Sequence, residues 1–133
     1  MKILIATDTY YPSVNGASYF TQRLAKMLAK RGHQVFVFAP GKRLKDTIST
    51  HDGATVYGMR SINILLYPNF RVSQLFLSGE TIKKYVQEVN PDVIHIQSHF
   101  IIGKRVALAA KELGIPIIGT NHFMPENLIH YLH

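Results

Sequence analysis

Seven histidines are the side chains in this sequence best suited to proton transfer or metal binding, and two of them stand where chemistry collects. His99 and His122 each lie just past a short apolar run, Val93–Gln97 and Ile115–Thr120. Such runs read as buried strands, and open α/β sheets bind ligands beyond the carboxyl ends of their strands. His95 falls inside the first run and is expected to pack within the sheet. His95 and His99 are four apart but not on a helix, no H-E-x-x-H occurs, and His130 and His133 lack a carboxylate pair. No metal site is expected. The absence of G-x-S-x-G, Walker A and G-x-G-x-x-G sequences argues against a serine hydrolase, a P-loop enzyme and an ordinary dehydrogenase. Asp8 and Glu126 are the acids in the strand-end loops, and their spacing specifies no glycosidase pair. Gly16 opens a helix after the first strand. Free N–H groups and the helix dipole there suit a phosphate or carboxylate, although a tight turn alone would also call for glycine.

These residues need a scaffold, and the apolar pattern supplies one. Lys2–Thr7 reads as a buried strand. A helix follows from Gly16, with Phe20, Leu24, Met27 and Leu28 as its apolar stripe and Gly32 as its stop. Val35–Ala39 is the second strand and Thr55–Gly58 a short third, with residues 40–54 expected to be mostly loop. Residues 59–77 are rich in aliphatic and aromatic side chains, with Arg60 and Arg71 interleaved, and resist assignment. Ser78 is a plausible N-cap for a helix through Val89 with Ile82, Val86 and Val89 inward. Gly103–Leu113 forms the next helix, and another begins near Pro125. The order βα-β-βα-βα-β(α) predicts a Rossmann-like doubly wound parallel sheet. A chain that stops inside a helical pattern suggests part of something larger.

The 133 residues suit one domain, and no cysteine is present to give a thiolate or a disulfide. Asp8 interrupts the first apolar run too early for a secretory signal, and no run is long enough to span a bilayer. The net charge is +7, and between Asp8 and Asp46 stand seven cations and no acid: Arg23, Lys26, Lys30, Arg31, Lys42, Arg43 and Lys45. A solvated helix face explains such a stretch, and so does attraction to anionic lipid or nucleotide. No nucleic-acid motif is present, and no nucleic-acid partner is expected.

Four segments, in order, carry a resemblance. The opening Ile3–Gly16, the stretch Arg31-Gly32-His33-Gln34-Val35-Phe36-Val37, the stretch Pro91–His99 and Gly119-Thr120-Asn121-His122-Phe123 resemble the N-terminal domain of family-4 retaining glycosyltransferases of the GT-B fold. The resemblance implies an acceptor-side Rossmann-like domain over residues 1–133, incomplete at its C-terminal end, with a missing C-terminal domain that holds the nucleotide-sugar. It implies no cofactor, the donor being a UDP- or GDP-sugar bound as substrate. Carried over to this sequence, Gly16 and Asn15 would meet the donor and His122 would act at the reacting carbon. Tyr10, His99, Phe123 and Glu126 would shape the acceptor side. The basic stretch and the apolar segment Ile62–Leu77 resemble the subgroup acting on diacylglycerol-type lipids, which implies a cytoplasmic protein peripheral to the inner face of the membrane. A soluble sugar or sugar phosphate is the alternative acceptor. A non-catalytic Rossmann-like module acting through a partner chain is the rival function.

Overall fold

The structure, a computed structural model, describes residues 1–7, 16–41, 46–59, 62–64, 67–72, 79–97 and 102–119. Its frame is a six-stranded sheet flanked by helices on both faces. Strand β1 (Lys2–Ala6) is followed by helix α1 (Gly16–Lys30), β2 (Gln34–Pro40), β3 (Thr47–His51) and β4 (Ala54–Met59). Then come β5 (Ile62–Ile64), β6 (Tyr67–Val72), α2 (Gly79–Val89), β7 (Val93–Ile96), α3 (Ile102–Leu113) and β8 (Ile117–Gly119). The sheet order is β3-β4-β2-β1-β7-β8, and β5 pairs with β6 as a separate antiparallel ribbon.

The expected parallel sheet is present in β4, β2, β1, β7 and β8. Strand β3 departs from it. It pairs antiparallel with β4 inside a segment expected to be loop. Asp52 and Gly53 explain it, because both have positive φ (51° and 84°) and join His51 to Ala54 in a two-residue hairpin turn. Thr47–His51 holds a single aliphatic residue, so its apolar pattern is nearly silent. The ribbon β5–β6 supplies the structure of part of 59–77, and the helix expected near Pro125 lies outside the described residues.

Alternation along β1 divides the core. Ile3 and Ile5 pack with Ala25, Val35, Val37, Ala39 and Ala54 on the α1 side. Leu4 and Ala6 pack with Phe38, Ile82, Val86, Ile94, Ile102 and Val106 on the α2–α3 side. Ile82, Val86 and Val89 are buried as the helical spacing requires. Helix α1 is different. Its buried positions are Ser18, Thr21 and Ala25, while Phe20 and Met27 of the expected apolar stripe are exposed. Small residues bring this helix close to the sheet, with Leu24 and Leu28 half-buried against the core beside them.

Among the described residues each of the three helices ends on a left-handed residue: Gly32, Asn90 and Gly114. After α1 the His33 N–H donates to Leu28 O at 3.2 Å and the Gly32 N–H to Ala29 O at 3.1 Å, which satisfies the last carbonyls. Among the described residues no helix is long and apolar enough to cross a membrane.

Candidate functional site

Strand order reverses at β1. The chain runs from β1 outward to β2 and β4, then returns to place β7 on the other side of β1. The crevice beyond the carboxyl ends of β1 and β7 is thus the topological switch point, where open α/β sheets take their ligands. Ala6 lies beside Ile96 and Phe38 at this edge. One residue further, the Thr7 N–H donates to Phe38 O at 3.0 Å and the Gln97 N–H to Ala6 O at 2.8 Å. Thr7 and Gln97, which follow β1 and β7 at this edge, are both buried.

Two helices begin after these strands. Helix α1 begins at Gly16 and follows β1 in the chain, and α3 begins at Ile102 and follows β7. Neither first turn holds an acid, whereas α2 has Glu80 there. The partial positive charge at the start of α1 and α3 is therefore uncompensated by a first-turn carboxylate, an arrangement suited to an anionic ligand. The start of α1 also buries two hydroxyls, Ser18 and Thr21, with Gln22 Nε2 donating to Ser18 Oγ at 3.0 Å.

The flank formed by β2 and β4 is closed by its own backbone. The Gly41 N–H donates to Met59 O at 2.7 Å, and a Cβ on Gly41 would stand 3.1 Å from the Gly58 carbonyl carbon. The Tyr85 hydroxyl donates to the Asp46 carboxylate nearby. Tyr57 packs on Phe38 and Tyr85, and burial, helped by Glu88, raises its phenol above the ordinary value. The opposite edge of the sheet is also tied down. The Lys2 N–H donates to Asp92 Oδ2 at 2.7 Å and the Gln34 N–H to Met1 O at 3.0 Å. A groove lined by Lys104, Leu108, Lys111, Ile115 and Ile117 runs along α3 beside β8.

Of the candidate residues, Gly16 is placed at the switch-point start of α1. Tyr10, Asn15, His99, His122, Phe123 and Glu126 lie outside the described residues, as do Lys42, Arg43 and Lys45. Among the described residues no cluster of histidines and acids could hold a metal. Thr7, Gln97, Ser18 and Thr21 were not anticipated. Their signal was a polar residue ending an aliphatic strand and two hydroxyls in the first turns of a helix.

Comparison with known proteins agrees with this frame. Residues 14–133 match the family model described as Glycosyltransferase Family 4. The chain is similar to a GDP-mannose-dependent alpha-mannosyltransferase of Corynebacterium glutamicum, 29% identical over 89% of this chain and 28% of that protein. It is also similar to an alpha-monoglucosyldiacylglycerol synthase of Streptococcus pneumoniae, 30% identical over 99% of this chain and 29% of that protein. Among solved structures, a sucrose-phosphate synthase from Thermosynechococcus elongatus matches with a TM-score of 0.64 at 14% identity, over 100% of this chain and 35% of that one. The chain thus spans less than a third of the two curated relatives' length.

Proposed function

This chain belongs to Glycosyltransferase Family 4, and from that premise we propose that it is the acceptor-side domain of an enzyme transferring a sugar from a nucleotide-sugar to an acceptor with retention of configuration. The observation that carries the reading is the switch point itself. Gly16 opens α1 there without a first-turn acid, next to the carboxyl ends of β1 and β7. A sugar nucleotide brings a diphosphate, the ligand such a helix start favours. The donor is a UDP- or GDP-sugar bound as substrate, without a resident cofactor. A further domain completes the cleft and holds most of it.

The acceptor is a membrane lipid of the diacylglycerol type, and the enzyme works at an anionic membrane surface on the cytoplasmic side. Support comes from the similarity to a synthase named for a glucosylated diacylglycerol and from the cation-rich stretch Arg23–Lys45. A free sugar or sugar phosphate is the competing acceptor, favoured by the same cations.

His122 acts at the reacting carbon, with Asn15 beside Gly16 on the donor. Tyr10, His99, Phe123 and Glu126 lie toward the acceptor. A group fixed beside developing charge is worth on the order of 10²-fold or more in rate. The test uses the full-length protein in detergent with UDP- and GDP-sugars and diacylglycerol, the product's anomeric configuration being read by NMR. Retained-anomer glycolipid is expected, with turnover falling about 10²-fold in His122→Ala at an unchanged thermal midpoint. Transfer to soluble sugars alone overturns the lipid assignment. Absence of transfer to either supports the non-catalytic module instead.

A further inference from the structure

Helix α1 presents an outward arc made of only two kinds of side chain. Among its described side chains the exposed positions are Tyr19, Phe20, Arg23, Lys26, Met27 and Lys30. At 100° per residue they fall within one third of the helix circumference. Three are cations and three are large apolar residues. Tyr19 is 46% exposed, Phe20 39% and Met27 48%. No acid occurs anywhere in α1. Asp52, in the hairpin whose Gly53 approaches Ala29, directs its carboxylate to His51 at 3.3 Å.

An ordinary solvated face does not look like this, and the same molecule shows what one looks like. The exposed positions of α2 are Gly79, Glu80, Lys84, Gln87 and Glu88, polar apart from the glycine and of both signs. Lys83 on α2 pairs with Glu112 on α3 at 3.0 Å. Helix α1 instead combines the two terms of interfacial binding: cations for anionic headgroups, and aromatic and thioether side chains for the acyl boundary.

We propose that the outward face of α1 is the surface through which this protein docks on an anionic lipid bilayer, Arg23, Lys26 and Lys30 meeting headgroups while Tyr19, Phe20 and Met27 enter the interface. The proposal rests on the lipid-acceptor reading above and assigns it a surface. Charge complementarity selects the partner. A neutral bilayer would leave the three cations unmatched, and a polyanion such as nucleic acid would leave the three apolar residues in water. Helix α1 begins at the switch-point crevice, with Tyr19 and Phe20 close to that end. Docking on this face therefore brings the start of the crevice to the membrane.

The sequence contains no tryptophan, so Phe20→Trp installs a single reporter on the proposed face. Its fluorescence is read with phosphatidylcholine vesicles and with vesicles containing added phosphatidylglycerol, at low and high salt. A blue shift with the anionic vesicles alone, weakened by salt, is expected. Each cation near such a surface contributes roughly fivefold in affinity, so Arg23→Gln/Lys26→Gln/Lys30→Gln should bind on the order of 100-fold more weakly. The control Lys84→Gln/Lys104→Gln/Lys111→Gln removes the same charge from the other face and should retain most of the binding. Equal loss in the two triple variants means that net charge alone acts, and overturns the proposal. Salt-sensitive binding without a blue shift overturns it too, as does an absence of binding. Transfer to diacylglycerol in detergent does not require a bilayer. Lipid glycosylation there alongside a failed vesicle assay refutes the α1 surface alone, whereas failure of lipid transfer in detergent refutes the reading beneath it.

Discussion

The two faces of the sheet are built on different terms. On one, α1 packs alone, through Ser18, Thr21 and Ala25, against a layer of mostly small and β-branched residues. On the other, α2 and α3 cover a larger cluster in which Phe38 and Tyr57 pack tilted and Tyr85 stands edge-on to both. The second face spends its aromatic side chains inward and carries charges of both signs outside, with Leu108 of α3 as its exposed apolar residue. The first keeps its largest apolar residues outside. Stability is therefore concentrated on the α2–α3 face, and the α1 face is left available for contact with something other than its own core.

That division has measurable edges. Phe38→Ala removes the ring at the centre of the stacked cluster and should cost about 3–5 kcal/mol in chemical denaturation. Leu28→Ala, half-buried on the α1 side, should cost roughly 1–2 kcal/mol. Similar costs for both would abolish the asymmetry. Ala25→Leu tests whether α1 depends on small residues at the sheet. Overpacking there should cost about 1–3 kcal/mol, and a neutral result would mean the helix has room to move outward. Met27→Ser, on the outer arc, should shift stability by no more than about 0.5 kcal/mol. A larger loss would place Met27 in the core and remove the contrast between its arc and that of α2.

The smallest effect concerns alkaline pH. The Tyr57 phenol is held above its ordinary value of 10.0, first by burial and then by Glu88. The folded state thus favours the neutral phenol. Its contribution is complete below the unfolded value and is lost as pH rises from there through the raised folded value. The fall in thermal midpoint above pH 10 should be shallower in Tyr57→Phe than in the parent. Identical slopes would mean that the phenol is as well solvated in the folded chain as in the unfolded one.

The strands of the parallel core were legible because they are covered on both faces and read as uninterrupted aliphatic runs. Helix α2 was legible because Ile82, Val86 and Val89 do the inward packing. Helix α1 was located, and Leu24 and Leu28 of its expected stripe do pack on the core, but Phe20 and Met27 face outward. Large apolar residues mark a buried face only where the gap to be filled is wide, and here Ser18, Thr21 and Ala25 fill a narrow one. Strand β3 escaped because its register is set by the turn, not by its side chains, and Asp52-Gly53 was the signal passed over. The candidate site was legible only as a location, beyond the strand ends where Gly16 opens α1. The burial of Thr7 and Gln97 was not, since a residue ending a strand declares neither its burial nor its neighbours.

The Asp52-Gly53 turn lets β3 and β4 pair with almost no loop to close, a process of about 1–10 μs in isolated hairpins. The pairing of β1 with β7 joins residues such as Ile3 and Val93, with most of the chain between them. Loop-closure entropy must be met before that contact returns anything, so parallel pairing is the slow event. The hairpin is the most local pairing of the sheet and offers β2 a neighbour whose own closure cost is small. The contact of β1 with β7, which forms the candidate crevice, spans the longest stretch of chain in the sheet and carries its largest closure cost.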